Sequence, residues 1–430
     1  MNKPATMCLA PWTHTYLSPQ TERRMCCASR EPAQNFQQYI DTGAGTGRYI
    51  PITLEQHWNS DHMRSVRRRM MAGETLPECE VCNDKLLNTS VYRSYFDQMF
   101  GHKYDSIIEN TSPDGHTTLT PVSWDYRFSN LCNFKCRTCG DMLSSAWESE
   151  QRQHNMIDWN NPRNNWMIPI VKEEITQFQD TQIEREFAEA VEAHNIEEVY
   201  WVGGEPLMYE QHWRYMKRII ELGDGPRVYA RYNTNLSRTS FKDCSLYRDI
   251  LANLRDWQIC ASIDGTGPIG EYIRTGLRYD QWLANLKESN SVRRYDRQVR
   301  LDFTLTLPGL FEVNNIVDLG RSQGFGILAK VIFSFSPDII MSPLALPRAV
   351  LDKWVDEIVA TISDGEMKSV LLQLKTRPTF AEQWPDTYEA ALRQGKQRIL
   401  SLERIRNDKY TMSDILQSRR DVYEWWQSIN

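Results

Sequence analysis

The chain has 430 residues, 41% hydrophobic and 25% charged, with a formal net charge of −6. That length exceeds what one hydrophobic core usually supports, so a large domain with smaller appendages is expected, and the composition is that of a globular protein. The acidic total leaves no overall electrostatic footprint for nucleic acid. No window approaches the roughly 18 apolar residues of a membrane span. Residues 1–20 lack the apolar core of a signal peptide, which makes the cytoplasm the expected compartment.

In a reducing compartment, patterned cysteines argue for metal binding over disulfides. Eight of the ten fall in clusters: Cys8, Cys26, Cys27, Cys79, Cys82, Cys132, Cys136 and Cys139. Cys260 lies in an apolar run and reads as a small buried hydrophobe; Cys244 has no neighbour in sequence and reads as incidental.

Residues 1–100 carry the first set, joined by polar, glycine-rich stretches such as 41–47. The set reads Cys8-Leu9-Ala10-Pro11-Trp12, then Arg24-Met25-Cys26-Cys27, then Pro77-Glu78-Cys79-Glu80-Val81-Cys82. Four soft thiolates, Cys8, Cys26 (or Cys27), Cys79 and Cys82, can close a cubane cluster or a tetrahedral zinc site, and spacing alone favours neither. Arg64, Arg67, Arg68 and Arg69 lie on a helix between these cysteines and read as a solvated or barrel-docking face, with a nucleic-acid or acidic-substrate patch as the alternative. His14 is read as an ordinary residue.

Past residue 120 the pattern changes to short apolar runs alternating with amphipathic segments. Strands are expected over 122–128, 198–202, 227–233, 258–263, 299–306 and 329–335. Helices are expected over 185–194, 209–222, 245–255, 279–286 and 313–323. Such alternation implies α/β structure with parallel strands and right-handed crossovers, here an open six-unit partial (β/α)6 barrel of TIM-like kind over 120–335. Residues 151–180 form a polar insertion. Residues 346–430 read as a helical C-terminal extension that caps the barrel or covers its edge.

Directly after the first of these strands comes Leu131-Cys132-Asn133-Phe134-Lys135-Cys136-Arg137-Thr138-Cys139. Parallel-strand folds place their chemistry at that end of a strand. Three thiolates can grip three corners of a four-iron cluster and leave one iron open to a small molecule, whereas ferredoxin-type carriers supply a fourth cysteine. A three-cysteine zinc site, or thiols without metal, are the alternatives.

The CxxxCxxC spacing resembles the signature of the radical S-adenosylmethionine (radical SAM) superfamily. Trp201-Val202-Gly203-Gly204-Glu205-Pro206, at the next strand's end, is similar to that family's glycine–glycine–glutamate motif. The resemblance implies that Gly203, Gly204 and Glu205 receive the methionine amino group of S-adenosylmethionine. It also implies that Asn235 and Ser262 lie near the cofactor's ribose or methionine part, and that Arg274 pairs with its carboxylate. The aromatic that many members carry before the third cysteine is here Thr138, with Phe134 nearby.

The N-terminal set resembles the auxiliary-cluster module called SPASM, or its single-cluster form, twitch. The matching features are Cys-x-x-Pro-Trp, the double cysteine, His57-Trp58-Asn59-Ser60 before the arginine-rich helix, and the closing Cys-x-x-Cys. In most relatives this module follows the barrel; here it precedes it. The interval of 18 residues from Cys8 to Cys26 suits the twitch spacing and favours Cys26 over Cys27.

The resemblance implies two 4Fe-4S clusters, S-adenosylmethionine, and a low-potential donor such as flavodoxin or ferredoxin. The expected reaction is reductive cleavage of the cofactor to a 5′-deoxyadenosyl radical, then hydrogen abstraction during oxidative modification of a peptide or protein side chain. A carbohydrate or nucleotide-derived substrate is the alternative within enzymes. A non-catalytic iron–sulfur carrier or zinc-stabilised binding protein is the alternative outside them.

Overall fold

The computed structural model describes residues 3–30, 39–41, 47–49, 51–83, 91–334 and 337–430. Most of the polar stretch at 41–47, and the last residue of the strand expected over 329–335, lie outside the described residues. The chain divides into two compact units. The first comprises Met1–Leu131, Ser149–Arg231 and Asn253–Asp256; the second comprises Cys132–Glu148, Tyr232–Ala252 and Trp257–Asn430.

The strands that matter to function are β1 (His14–Leu17), β2 (Arg23–Arg24), β3 (Ser123–Tyr126), β4 (Glu198–Trp201), β5 (Tyr229–Thr234), β6 (Asp256–Ile263), β7 (Val299–Leu305) and β8 (Gly326–Val331). In the first unit their order is β5–β4–β3–β1–β2, and in the second it is β8–β7–β6–β5, with β5 contributing residues to both. β1 runs parallel to β3 and β3 parallel to β4, while β2 is antiparallel to β1. In the second unit β6, β7 and β8 are parallel. The architecture is therefore α/β with a parallel-strand sheet.

Two strands were not expected. β1 and β2 come from the cysteine-rich N-terminal segment, yet β1 pairs along its whole length with β3. Its sequence His-Thr-Tyr-Leu lacks polar–apolar alternation because all four residues are buried. The last strand was misplaced: it starts at Gly326, which lies close against Arg297 and Arg300 with little room for a side chain, a normal use of glycine inside a strand. The helix expected over 245–255 is instead a π-helical turn, Leu246–Ile250, followed by a 3-10 turn, Leu251–Asn253. Its end is pinned where Arg255 N–H donates to Gly225 O at 2.7 Å.

In the first unit, α1 (Asp61–Met71), α2 (Glu184–Glu192) and α3 (Glu210–Glu221) supply the apolar packing. Successive strand side chains point to opposite faces, so Trp124, Tyr126 and Trp201 face α2. There Phe187 meets their rings, with centroids 5.6, 6.1 and 5.9 Å away, and Tyr215 of α3 at 5.1 Å. Truncating such a residue to alanine costs about 3–5 kcal/mol. The alternate residues Ser123, Asp125 and Glu198 form a buried polar face instead.

In the second unit, α4 (Tyr279–Glu288) and α5 (Val313–Gln323) pack beside the strands, and the residues beyond 346 are helical as expected, including α6 (Pro385–Arg406). No helix among the described residues is long and apolar enough to cross a membrane.

Candidate functional site

In the second unit, the loop carrying Cys132, Cys136 and Cys139 is held at several points. Ser145 Oγ accepts the Cys132 N–H at 3.2 Å, Ser144 Oγ donates to Phe134 O at 2.6 Å, and Trp147 Nε1 donates to Cys136 O at 2.7 Å. Lys135 and Cys136 form an antiparallel ribbon with Thr275 and Arg274. Gly276 (φ +111°) closes over the loop, and a Cβ there would sit 2.8 Å from the Phe134 ring. Phe134 is thus buried against its own chain.

The helical extension reaches the same loop. Arg406 donates to Lys135 O at 3.0 Å, Arg137 pairs with Asp408, and the Tyr272 hydroxyl donates to Glu403 at 2.7 Å. The last turn of α6 therefore braces the cysteine ribbon.

Two of the three sulfurs receive N–H donors. Cys132 Sγ accepts from Phe134 N at 3.5 Å and from Asn235 Nδ2 at 3.8 Å; Cys136 Sγ accepts from Arg274 Nη1 at 3.9 Å. Burial pushes the Cys136 thiol upward, and the Arg274 guanidinium pulls it back. Burial likewise raises Cys139, opposed by its contact with Gly140 and by Arg274. Donors aimed at sulfur stabilise thiolate and so suit metal ligation.

The structure brings Asn235 and Arg274 to these cysteines. Asn235 also donates to Asn133 Oδ1 at 3.0 Å. Arg274 pairs at 2.9 Å with Asp264, a wholly buried carboxylate that also accepts the Thr304 N–H. Nothing in the local sequence marks Asp264 as the partner of an arginine ten positions away. Ser262 lies on β6, paired in register with Asp302 of β7. Asp302 itself is bonded to Asn233 and Lys330, each at 3.0 Å.

Gly203, Gly204 and Glu205 lie in the first unit, just past β4. Leu131 O, one residue before Cys132, accepts the Glu205 N–H at 2.7 Å. A Cβ on Gly204 would meet that oxygen at 2.3 Å, and one on Gly203 (φ +121°) would meet the Tyr209 hydroxyl at 2.9 Å. Both glycines are thus required by the chain's own packing, independently of any ligand. Glu205 is fully buried, and its carboxylate accepts the Leu207 N–H at 3.1 Å.

Also in the first unit, Cys8, Cys26, Cys79 and Cys82 line one small cavity of about 20 Å³, together with Met25, Met70, Glu78, Tyr92 and Arg93. Burial raises Cys8 to about 12 and pushes Cys26 well up. Cys27 lies outside that lining. It hydrogen-bonds Tyr92 among Asp125, Arg127 and Arg231, and burial puts it at about 11. Among the described residues no three His, Cys, Asp or Glu side chains converge as a single-ion metal site.

The arginine helix divides by side. Arg67 is fully buried, donating to Pro11 O and to Asn59 Oδ1 at 2.9 Å, whereas Arg68 is exposed. Arg67 thereby ties α1 to the segment following Cys8. His14 is buried and bonded to Ser123 Oγ at 2.7 Å. Cys244 and Cys260 are buried, at 2% and 3% exposure.

No protein-family model matches the chain, and no curated protein matches it. Among solved structures it is similar to SuiB of Streptococcus suis. The crystal structure bound to S-adenosylmethionine aligns at 14% identity and a TM-score of 0.35, over 70% of this chain and 58% of that one. The structure bound to precursor peptide SuiA aligns at 15% and 0.35, over 71% and 62%. SuiB itself aligns at 14% and 0.34, over 66% and 63%. The chain spans less than two thirds of the length of those chains, and likenesses at that TM-score establish neither its fold nor its activity.

Proposed function

We propose that the protein is a radical SAM enzyme in which Cys132, Cys136 and Cys139 hold a four-iron cluster with one open iron. The observation that carries this is the three-sulfur loop itself: anchored by Ser144, Ser145, Trp147 and Arg406, with chain N–H groups aimed at two sulfurs. That donor set fits an anionic iron–sulfur group. Such a cluster supplies the electron that cleaves S-adenosylmethionine to methionine and a 5′-deoxyadenosyl radical, which then takes hydrogen from the substrate. Gly203–Glu205 and Ser262 are assigned to binding that cofactor. Asn235 and Arg274 are assigned to holding the sulfurs.

Cys8, Cys26, Cys79 and Cys82 are assigned to an auxiliary four-iron cluster that accepts the electron lost on substrate oxidation. Their convergence on the lining of one cavity supports a shared ligand set, with Cys26 in preference to Cys27. The substrate class implied by the resemblance is a peptide or protein side chain, with a flavodoxin or ferredoxin as electron donor.

The test is iron, sulfide and zinc content after anaerobic reconstitution, with 5′-deoxyadenosine release under reduction. The wild type should hold about eight irons and release deoxyadenosine; the triple variant Cys132→Ala/Cys136→Ala/Cys139→Ala should keep about four and release none. A wild type without iron would sink the reading. Four irons plus one zinc would make the N-terminal site structural.

A further inference from the structure

Arg274 faces Cys136 from the opposite strand of the ribbon, so its backbone is fixed in register with that ligand. One guanidinium nitrogen, Nη1, lies 3.9 Å from Cys136 Sγ, and the other, Nη2, lies 2.9 Å from Asp264 Oδ1. The arginine side chain is 11% exposed and the aspartate 0%. Asp264 follows the end of β6 and is held by the Thr304 N–H at 3.2 Å. Among the described residues, Asp264 Oδ2 and Arg274 Nε have no hydrogen-bond partner. A carboxylate and a guanidinium are thus shut in together, with the cation against the sulfur. The bond geometry gives Arg274 little freedom for the free carboxylate clamp expected of it.

We propose that the Arg274–Asp264 ion pair sets the electron affinity of the cluster held by Cys132, Cys136 and Cys139, with Asp264 as the positioning residue that aims and partly neutralises the guanidinium. The inference deepens the cluster reading and rests on it. A reduced cluster carries one more negative charge, and a cation touching one of its sulfurs favours that state. In a buried setting little water screens the interaction. Asp264 opposes the effect from within the same pair. The two residues therefore act on the cluster with opposite sign, which a purely structural pair would not do.

The experiment is a redox titration of the reconstituted full-length protein without S-adenosylmethionine, following the paramagnetic signal that Cys132→Ala removes. Arg274→Gln should lower the reduced-to-oxidised ratio at fixed potential about tenfold, some 59 mV for a one-electron couple. Asp264→Asn should raise it. Arg274→Lys, which keeps the charge without the planar fork, should fall between Arg274→Gln and the wild type. Iron content of each variant establishes that the cluster is present. Unshifted potentials, or shifts of one sign in both Arg274→Gln and Asp264→Asn, would overturn the ion-pair assignment alone. A wild type that takes up no iron overturns this inference together with the cluster reading.

Discussion

In the first unit, Cys8, Cys26 and the Cys79–Cys82 pair come from three separate segments to one cavity walled partly by Met25 and Met70. In the second, Cys132, Cys136 and Cys139 lie within eight residues on one loop whose sulfurs meet an asparagine, an arginine and a backbone N–H. On the proposed reading, the first arrangement would use every corner of a cluster for protein, within a lining that mixes Met25 and Met70 with Glu78 and Arg93. The second would leave a corner free, with one guanidinium beside the sulfur of Cys136. A site that stores an electron needs closure, whereas a site that cleaves a bound cofactor needs an open iron and a tuned charge beside it.

The largest expected effect separates the two cysteines at the head of the first set. Cys26→Ala should cost about four of about eight irons, because Cys26 lines the cavity. Cys27→Ala should keep all of them, since Cys27 is turned to Tyr92 and the polar face near Arg127 and Arg231. Deoxyadenosine release should survive in both, because the cluster proposed to cleave the cofactor rests on Cys132, Cys136 and Cys139 alone. Iron analysis reversed between the two variants would move the ligand to Cys27.

How much of this was legible in sequence varies with how local the cause is. The loop of Cys132, Cys136 and Cys139 could be read from spacing, because its ligands are neighbours in the chain. Five strands fell near their expected ends, because each carries apolar residues, in a run or in alternation with polar ones, between turn signals. β1 was hidden: four buried residues in a cysteine-rich segment show no period. Asp264 was hidden for a different reason, since its importance comes from Arg274 arriving on a separate ribbon. The Gly203-Gly204 pair was legible as a motif. Its physical cause, the Leu131 carbonyl and the Tyr209 hydroxyl, came only with the fold.

That cause gives a middle-sized test. Gly204→Ala would drive a Cβ to 2.3 Å from Leu131 O, a backbone atom that cannot swing aside. Overpacking of this kind costs about 1–3 kcal/mol. Gly140→Ala, beside Cys139 in the second unit, has nothing within 4 Å of the new Cβ and an extended backbone at φ −149°. It should change stability by no more than about 0.5 kcal/mol. Thermal melts of the apo proteins read both, and equal losses would mean that the tight approach at Leu131 is not what requires glycine at 204.

The smallest effect concerns acid, and it too divides the molecule. All eight histidines lie in the first unit. His14, His57 and His212 are buried there, and burial pushes each down to about 3, with Arg231 and Arg127 adding to the effect at His14. Folded values below the unfolded one mean that the fold holds the neutral ring. The stability this contributes is complete above pH 6.5 and is lost as pH falls from 6.5 toward 3. Each buried histidine should therefore cost up to about 1.4 kcal/mol between pH 6.5 and 5.5. Hydrogen exchange on the apo protein should quicken over that interval in the first unit, around β1, α1 and α3, before it does in β7 and β8 of the second. His14→Gln, which keeps a polar group near Ser123 but cannot take the ring's charge, should flatten the pH dependence while leaving stability at pH 7.5 within about 1–2 kcal/mol. Acid-induced exchange that begins in the second unit, where no histidine lies, would mean that the buried histidines do not set the loss.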